Sequence, residues 1–294
     1  MTLKTRILIT GASGNVGKAV INSLSEKEGD FQIQAGLRNT RDEKEKHSDP
    51  RVKLVHFDFE DEHSMRSALT NCDILFLLRP PQIADVEKYF APLIRFALAE
   101  EIHHVVFLSV QGAEKNSFIP HFKIEKLIRE SGLPYTFLRP AYFMQNFTTT
   151  LLKDIVDKQL IYLPAGKAKF NLIDVQDLGD AAAEVLLNTK SHRDKAYPLS
   201  NGELLDFQEM SEVISKVTEQ NISYESPNLI AFYRQKRREG KPTMLILVMI
   251  MLHFLPRFTS APNGTDDLEK ITGKKAKTFK AFVLAHKEKL SIKN

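Results

Sequence analysis

The chain has 294 residues, of which 43% are apolar and 27% charged, with 41 Lys and Arg against 37 Asp and Glu for a net charge of +4. Such a chain can fold as one large α/β domain with a smaller lobe, and its charge is too mild for nucleic-acid binding without a local patch. Cys72 is the one cysteine, which excludes an internal disulfide and leads us to expect a reducing, cytoplasmic setting.

The first predicted element is a strand over residues 6–9. It runs into Thr10-Gly11-Ala12-Ser13-Gly14-Asn15-Val16-Gly17, and a helix is predicted over 16–27. Strand, glycine turn and helix in that order are what a dinucleotide phosphate requires. One glycine makes the tight turn, one lets backbone approach the pyrophosphate, and one lets helix pack on strand. The helix then offers free N–H groups and its positive dipole end. No secretory signal is expected, because residues 1–9 pass straight into a strand.

Further strands are predicted over 32–38, 52–57, 73–78, 104–109 and 135–138, the last ending at Arg139-Pro140. Helices are predicted between them over 61–71, 86–101 and 120–131. Gly132 and Pro134 follow the last of these as stop signals. Six strands joined by helical crossovers predict a doubly wound, mainly parallel Rossmann sheet, with ligands bound beyond the strands' carboxyl ends. We expect the dinucleotide-binding domain over 1–150, continued by a segment near 165–200, and a smaller lobe over most of 151–294. That lobe has a predicted strand over 170–173 and helices over 177–187, 207–217, 228–238, 244–255 and 279–289. The apolar run 244–252 is far shorter than the roughly 20 residues needed to span a bilayer. It is expected as a buried helix or a pocket wall, and no membrane span is expected.

At the ends of these strands lie the candidate cofactor residues. Arg38 stands where a dinucleotide site for NAD usually has a carboxylate, and an arginine there suits a ribose 2′-phosphate. Arg41 adds a cation before the first acid, Asp42. NADP(H) is therefore preferred over NAD(H), the alternative for Arg38 being a solvated strand end. Arg79 could meet a phosphate or acidic substrate, or point to solvent.

The candidate catalytic residues come from a departure. A classical short-chain dehydrogenase carries a serine and, about twelve residues on, Tyr-x-x-x-Lys. Here Ser109 ends a strand, but His121 and Glu125 occupy the Tyr and Lys positions. Residues i and i+4 share a helix face, so Glu125 could orient His121 and raise its pKa for proton donation. The other reading is a purely structural helix contact. The cluster Phe232–Arg238 reads as a solvated helix face, the alternatives being contact with nucleic acid, an anionic membrane surface or a protein partner, and Lys274, Lys275 and Lys277 read the same way. Adjacent His103 and His104 should point to opposite sides of a strand. No metal site and no nucleic-acid partner is expected.

The chain resembles the NmrA-like atypical short-chain dehydrogenases, a group of NAD(P)H-dependent quinone reductases, isoflavone-reductase-type enzymes and redox-sensing regulators. The resemblance rests on the segment Thr10–Gly17, on Ser131-Gly132-Leu133-Pro134-Tyr135-Thr136-Phe137-Leu138-Arg139-Pro140, on Phe143-Met144-Gln145-Asn146-Phe147 and on Asp174-Val175-Gln176-Asp177. It implies cofactor contacts from Thr10, Gly11, Ser13, Gly14, Asn15, Val16, Gly17 and Arg38. It places Asp58 at the adenine, where the alternative for Asp58 is a helix cap. Leu78, Arg79 and Pro80 would flank the cofactor, and Pro140, Tyr142 and Phe143 the nicotinamide. Tyr142, Asn146 and Phe147 are the candidate substrate residues, suited to a small aromatic or quinone-like molecule. The expected activity is hydride transfer from NADPH to a quinone or conjugated carbonyl, with no flavin. The alternative is a non-catalytic NADP(H) sensor that binds a protein partner; a homodimer is a further expectation.

Overall fold

A computed structural model describes residues 4–40, 48–259 and 263–291. The chain divides into two units. The first comprises Met1–Pro140, Val175–Leu199 and Asp267–Lys274, and the second Ala141–Asp174, Ser200–Asp266 and Lys275–Asn294. Arg41 and Asp42 lie outside the described residues.

The first unit is built on seven strands: β1 (Thr5–Ile9), β2 (Phe31–Leu37), β3 (Val52–His56), β4 (Ile74–Leu78), β5 (His104–Leu108), β6 (Tyr135–Pro140) and β7 (Lys195–Leu199). They lie in the order β7-β6-β5-β4-β1-β2-β3, and every neighbouring pair is parallel. Between them run α1 (Asn15–Ser25), α2 (Glu62–Leu69), α3 (Val86–Ala99) and α4 (Pro120–Ser131), with α5 (Val175–Leu187) ahead of β7. This is the doubly wound Rossmann sheet expected. The central strands read as continuous apolar runs because both faces are covered: β1 buries Ile7, Leu8 and Ile9 completely, and β5 is buried along its length.

The seventh strand was not expected. Pro198 interrupts Lys195–Leu199, and a proline within a run argues against a central strand. β7 sits at the sheet edge, beside β6 alone, where a missing N–H costs least.

The helix ends follow local chemistry. Asp61 caps α2 by accepting from the His63 N–H at 3.0 Å, and Asp85 caps α3 by accepting from the Lys88 N–H at 3.0 Å. Pro120 begins α4, and Gly132 ends it at φ +77°. Asp61, and not Asp58, is therefore the cap of α2. His104 is buried against the Thr136 hydroxyl at 2.8 Å, while His103 is exposed beside Asp73 at 3.7 Å, so the two rings do diverge.

In the second unit, Phe170–Ile173 pairs with Leu204–Leu205 and Tyr142–Phe143, and Leu160–Tyr162 pairs with Ser223–Glu225. Helices Leu152–Lys158, Phe207–Thr218, Leu229–Arg238, Thr243–Phe254 and Phe279–Ala285 surround a core that includes Met144, Phe147, Phe207, Phe279 and Phe282. The helix expected over 279–289 breaks at His286 (φ −117°), and Lys287–Leu290 resumes beyond it.

Helix Thr243–Phe254 departs from expectation. It buries a stripe of Ile246, Met249 and His253 and half-buries Val248, Ile250 and Phe254, while Met244, Leu245, Leu247, Met251 and Leu252 are exposed. The cluster Phe232–Arg238 is divided as well. Phe232 and Lys236 are buried, with Lys236 Nζ 2.5 Å from Asp154, whereas Arg234, Arg237 and Arg238 are exposed. Lys277 is not a solvated cation: its ammonium meets the buried Asp174 at 2.7 Å.

Candidate active site

All seven strands are parallel, so the segments after β1, β2, β3, β4, β5 and β6 emerge on one edge of the first unit. β1 lies between β4 and β2, where the strand order reverses. The glycine loop is there. Gly11 adopts φ +63°, in the left-handed region open to glycine, and a Cβ on it would come 3.0 Å from Leu78 Cδ2. A Cβ on Gly17 would lie 2.3 Å from the Gly11 carbonyl oxygen, so α1 can approach the turn this closely only without a side chain. The Ala12 N–H donates to the Gly36 carbonyl at 3.3 Å, which ties the loop to the end of β2, two residues before the exposed Arg38.

Ser13, Gly14 and Asn15 are exposed. Gly14 precedes α1 without any side-chain cap. The first-turn amides of α1 have no acceptor within their own helix. Thr10 plays another part. It is completely buried, its Oγ accepts from the Leu78 N–H at 2.8 Å, and it lies 3.3 Å from the Phe76 and Leu78 carbonyls. Its hydroxyl thus stitches β1 to β4 and is not available to a ligand. Asp58 is half-buried and its Oδ1 accepts from the Glu60 N–H at 3.0 Å. Pro140 is buried at the end of β6, and Pro80 is half-buried.

The expected His121–Glu125 pair does not form. Glu125 is 1% exposed and fully engaged elsewhere. Its Oε1 accepts from Ser109 Oγ at 2.6 Å and Arg139 Nε at 2.9 Å; its Oε2 accepts from Arg139 Nη2 at 2.6 Å and Arg129 Nη2 at 3.2 Å. Arg139 also meets Glu114 at 3.0 Å. A forked guanidinium satisfies a buried carboxylate better than a neutral imidazole can, which is why Glu125 turns away from the histidine one turn before it. Ser109 is buried as the donor in this network, so its hydroxyl is spent as well.

His121 instead faces Arg79. Arg79 Nε lies 3.4 Å from His121 Nε2, and its Nη1 donates to the Ile83 carbonyl at 2.6 Å and to the Pro80 and Pro81 carbonyls at 3.1 and 3.2 Å. Arg79 therefore neither points freely to solvent nor presents Nη1 to a phosphate. Burial first, and then the Arg79 charge, push the His121 pKa down to about 3, opposite to the rise that a carboxylate partner would cause. A guanidinium always donates, so Nε2 accepts and the imidazole proton resides on Nδ1.

In the second unit, Tyr142 lies among Phe147, Phe170, Phe207 and His253, with ring centroids 5.6 to 6.4 Å away. Its hydroxyl is 3.1 Å from His253 Nε2, and His253 Nδ1 is 2.6 Å from the Met249 carbonyl. Burial raises the Tyr142 pKa and holds His253 down at about 4. Asn146 is half-buried, and its side chain opposes the rise in the Tyr142 pKa. Phe143 is half-buried, and Phe147 has no exposed surface at all. Phe147 is thus a core residue and not a substrate contact, and the Tyr142 hydroxyl is engaged within its own unit.

Two partners went unread in the sequence. Arg139, not His121, is the partner of Glu125, fourteen residues away, a pairing that no helical spacing announces. Gln145 Nε2 donates to Asp174 at 2.8 Å, joining two motifs that sequence alone treats as separate.

A family model described as the NmrA-like family matches residues 3–277. Prestalk A differentiation protein A of Dictyostelium discoideum is 31% identical over 76% of this chain and 72% of its own. An NAD(P)H azoreductase of Xenophilus azovorans is 26% identical over 95% of this chain and 97% of its own. Among solved structures, an NADPH-dependent quinone oxidoreductase of Escherichia coli complexed with NADPH has a TM-score of 0.85 at 22% identity, covering 95% of this chain and 99% of that one. At that identity the likeness establishes the fold.

Proposed function

The chain belongs to the NmrA-like family, and we propose that it is an NADPH-dependent reductase acting on a quinone or a similar conjugated carbonyl. One observation carries the reading: α1 begins at the strand-order reversal with no side-chain cap, beside a turn in which Gly11 has a left-handed φ and Gly17 leaves no room for a Cβ. A dinucleotide fits these residues. Ser13, Asn15 and Val16 would hold the pyrophosphate by backbone N–H groups, with Gly11, Gly14 and Gly17 allowing the approach, the Gly14 N–H being held by the Gly11 carbonyl at 3.0 Å. Arg38 would pair with the 2′-phosphate and so favour NADP(H) over NAD(H). Asp58 would meet the adenine, and Leu78, Pro80 and Pro140 would flank the bound molecule. NADPH supplies the hydride when bound.

The acceptor class follows from what the protein can offer in return. Ser109 is spent on Glu125 and Glu125 on Arg139, and the chain has no Tyr-x-x-x-Lys at the classical position. His121 is neutral near pH 7, so it can hold a substrate oxygen through Nδ1–H but not deliver a proton as a cation. An acceptor whose reduced form spreads its charge over an aromatic ring needs no strong acid, and solvent can supply the proton. Positioning then provides most of the rate enhancement.

The test is NADPH oxidation by the purified protein with a panel of quinones, run beside titrations of NADPH and NADH. Turnover above the protein-free control with tighter NADPH binding supports the reading. Tight NADPH binding without turnover on any acceptor overturns it. That outcome would favour the sensor reading, which the locked Ser109–Glu125–Arg139 network also fits.

A further inference from the structure

Helix Thr243–Phe254 has two unlike faces, although nearly all of its side chains are apolar. The buried stripe of Ile246, Met249 and His253 lies on one side. On the other, Met244, Leu247, Met251 and Leu252, continued by Leu255 and Phe258, are each between 40% and 72% exposed. A helical turn of 3.6 residues sets these two groups on opposite sides of the axis. Contiguous exposed apolar surface of this kind marks an interaction site.

Cations frame the patch at both ends. Helix Leu229–Arg238 packs against helix Thr243–Phe254 and exposes Arg234, Arg237 and Arg238. At the far end, exposed Arg257 joins Lys167, Lys169 and Thr259 around a cleft of about 350 Å³. Lys169 is shared with Glu209 at 3.0 Å. Between residues 229 and 258 the sequence has six Lys and Arg and a single acid, Glu239. That acid is itself bound to Lys158 and Lys236.

We propose that this face seats the protein on an anionic phospholipid bilayer, with helix Thr243–Phe254 lying in the plane of the interface. An apolar face flanked by cations is what such a surface requires: the hydrocarbon side chains enter the acyl boundary, and Arg and Lys meet the phosphates. The helix is too short to cross the membrane, and no described helix is long and apolar enough to do so. A second copy of the chain is a worse occupant. Two such helices paired across a two-fold axis bring cations against cations, whether Arg237 and Arg238 meet their own copies or Arg257.

The experiment uses the full-length protein and sedimentation with vesicles of phosphatidylcholine alone or with about one third phosphatidylserine. Binding to the anionic vesicles is expected, at least about tenfold tighter than to the neutral ones and weakened by salt. The double variants Leu247→Glu/Met251→Glu and Arg237→Ala/Arg238→Ala should each lower that binding by about tenfold or more. Because all four side chains are exposed, their thermal melting should match the parent. Failure to bind either vesicle, or binding that the Leu247→Glu/Met251→Glu variant leaves unchanged, overturns the proposal. So does a lipid-independent dimer that the same variant dissociates, which would assign the face to a second copy.

Discussion

Replacing Glu125 by Ala separates a structural role from a catalytic one. The change leaves Arg139 buried without its bidentate partner and Ser109 without an acceptor. Removing one member of a buried ion pair costs about 3–5 kcal/mol, because the remaining charge is left in a poorly solvated place. Arg139 keeps Glu114 at 3.0 Å, a carboxylate that is 38% exposed. The expected loss therefore lies near the lower end, about 3 kcal/mol. At roughly 2–4 °C per kcal/mol for a chain of this size, the melting temperature should fall by about 6–12 °C. Differential scanning calorimetry measures the drop, and NADPH–quinone turnover well below the transition measures the chemistry. Turnover should stay within about threefold of the parent, since this carboxylate touches no reacting atom in the proposed mechanism. A variant that melts like the parent but has lost turnover would refute the structural assignment and return Glu125 to the catalytic apparatus.

Other consequences can be checked separately. Arg38→Ala should weaken NADPH binding by about ten- to a hundredfold, the worth of charged hydrogen bonds to a phosphate, and leave NADH binding unchanged; equal losses by calorimetric titration would remove the cofactor preference. Gly17→Ala should abolish NADPH binding and cost about 1–3 kcal/mol in urea unfolding, because the new methyl must displace the Gly11 carbonyl. His104, His121 and His253 have folded pKa values pushed down by burial to about 4, 3 and 4. The unfolded chain then binds more protons than the folded one below pH 6.5. Stability should be complete above pH 6.5 and fall toward pH 4, by up to about 1.4 kcal/mol per histidine per pH unit; a melting temperature that is flat from pH 7 to 5 would contradict this. Burial pushes the Cys72 thiol up to about 12, so a thiol reagent should label it only on unfolding, and fast labelling of the native protein would show the site to be open.

The Rossmann architecture was legible in the sequence because its signals are local and repeated. Apolar runs buried on both faces, helical stretches between them, and one glycine turn ending in a helix leave few alternatives once right-handed crossovers are required. α4 came out at its predicted limits, Pro120 to Ser131, since a proline at one end and a glycine at the other are local instructions. β7 was hidden by Pro198, whose effect depends on whether its strand lies at an edge, and an edge is a property of the whole sheet. The partner of Glu125 was decided the same way. Helical spacing permitted His121, but β6 brings Arg139 to the same carboxylate, and a buried negative charge is best satisfied by the bidentate cation. The exposure of helix Thr243–Phe254 was equally unreadable. A run that is apolar all round carries no periodicity to say which face is covered, and only packing against Ile246, Met249 and His253 sets the other side free.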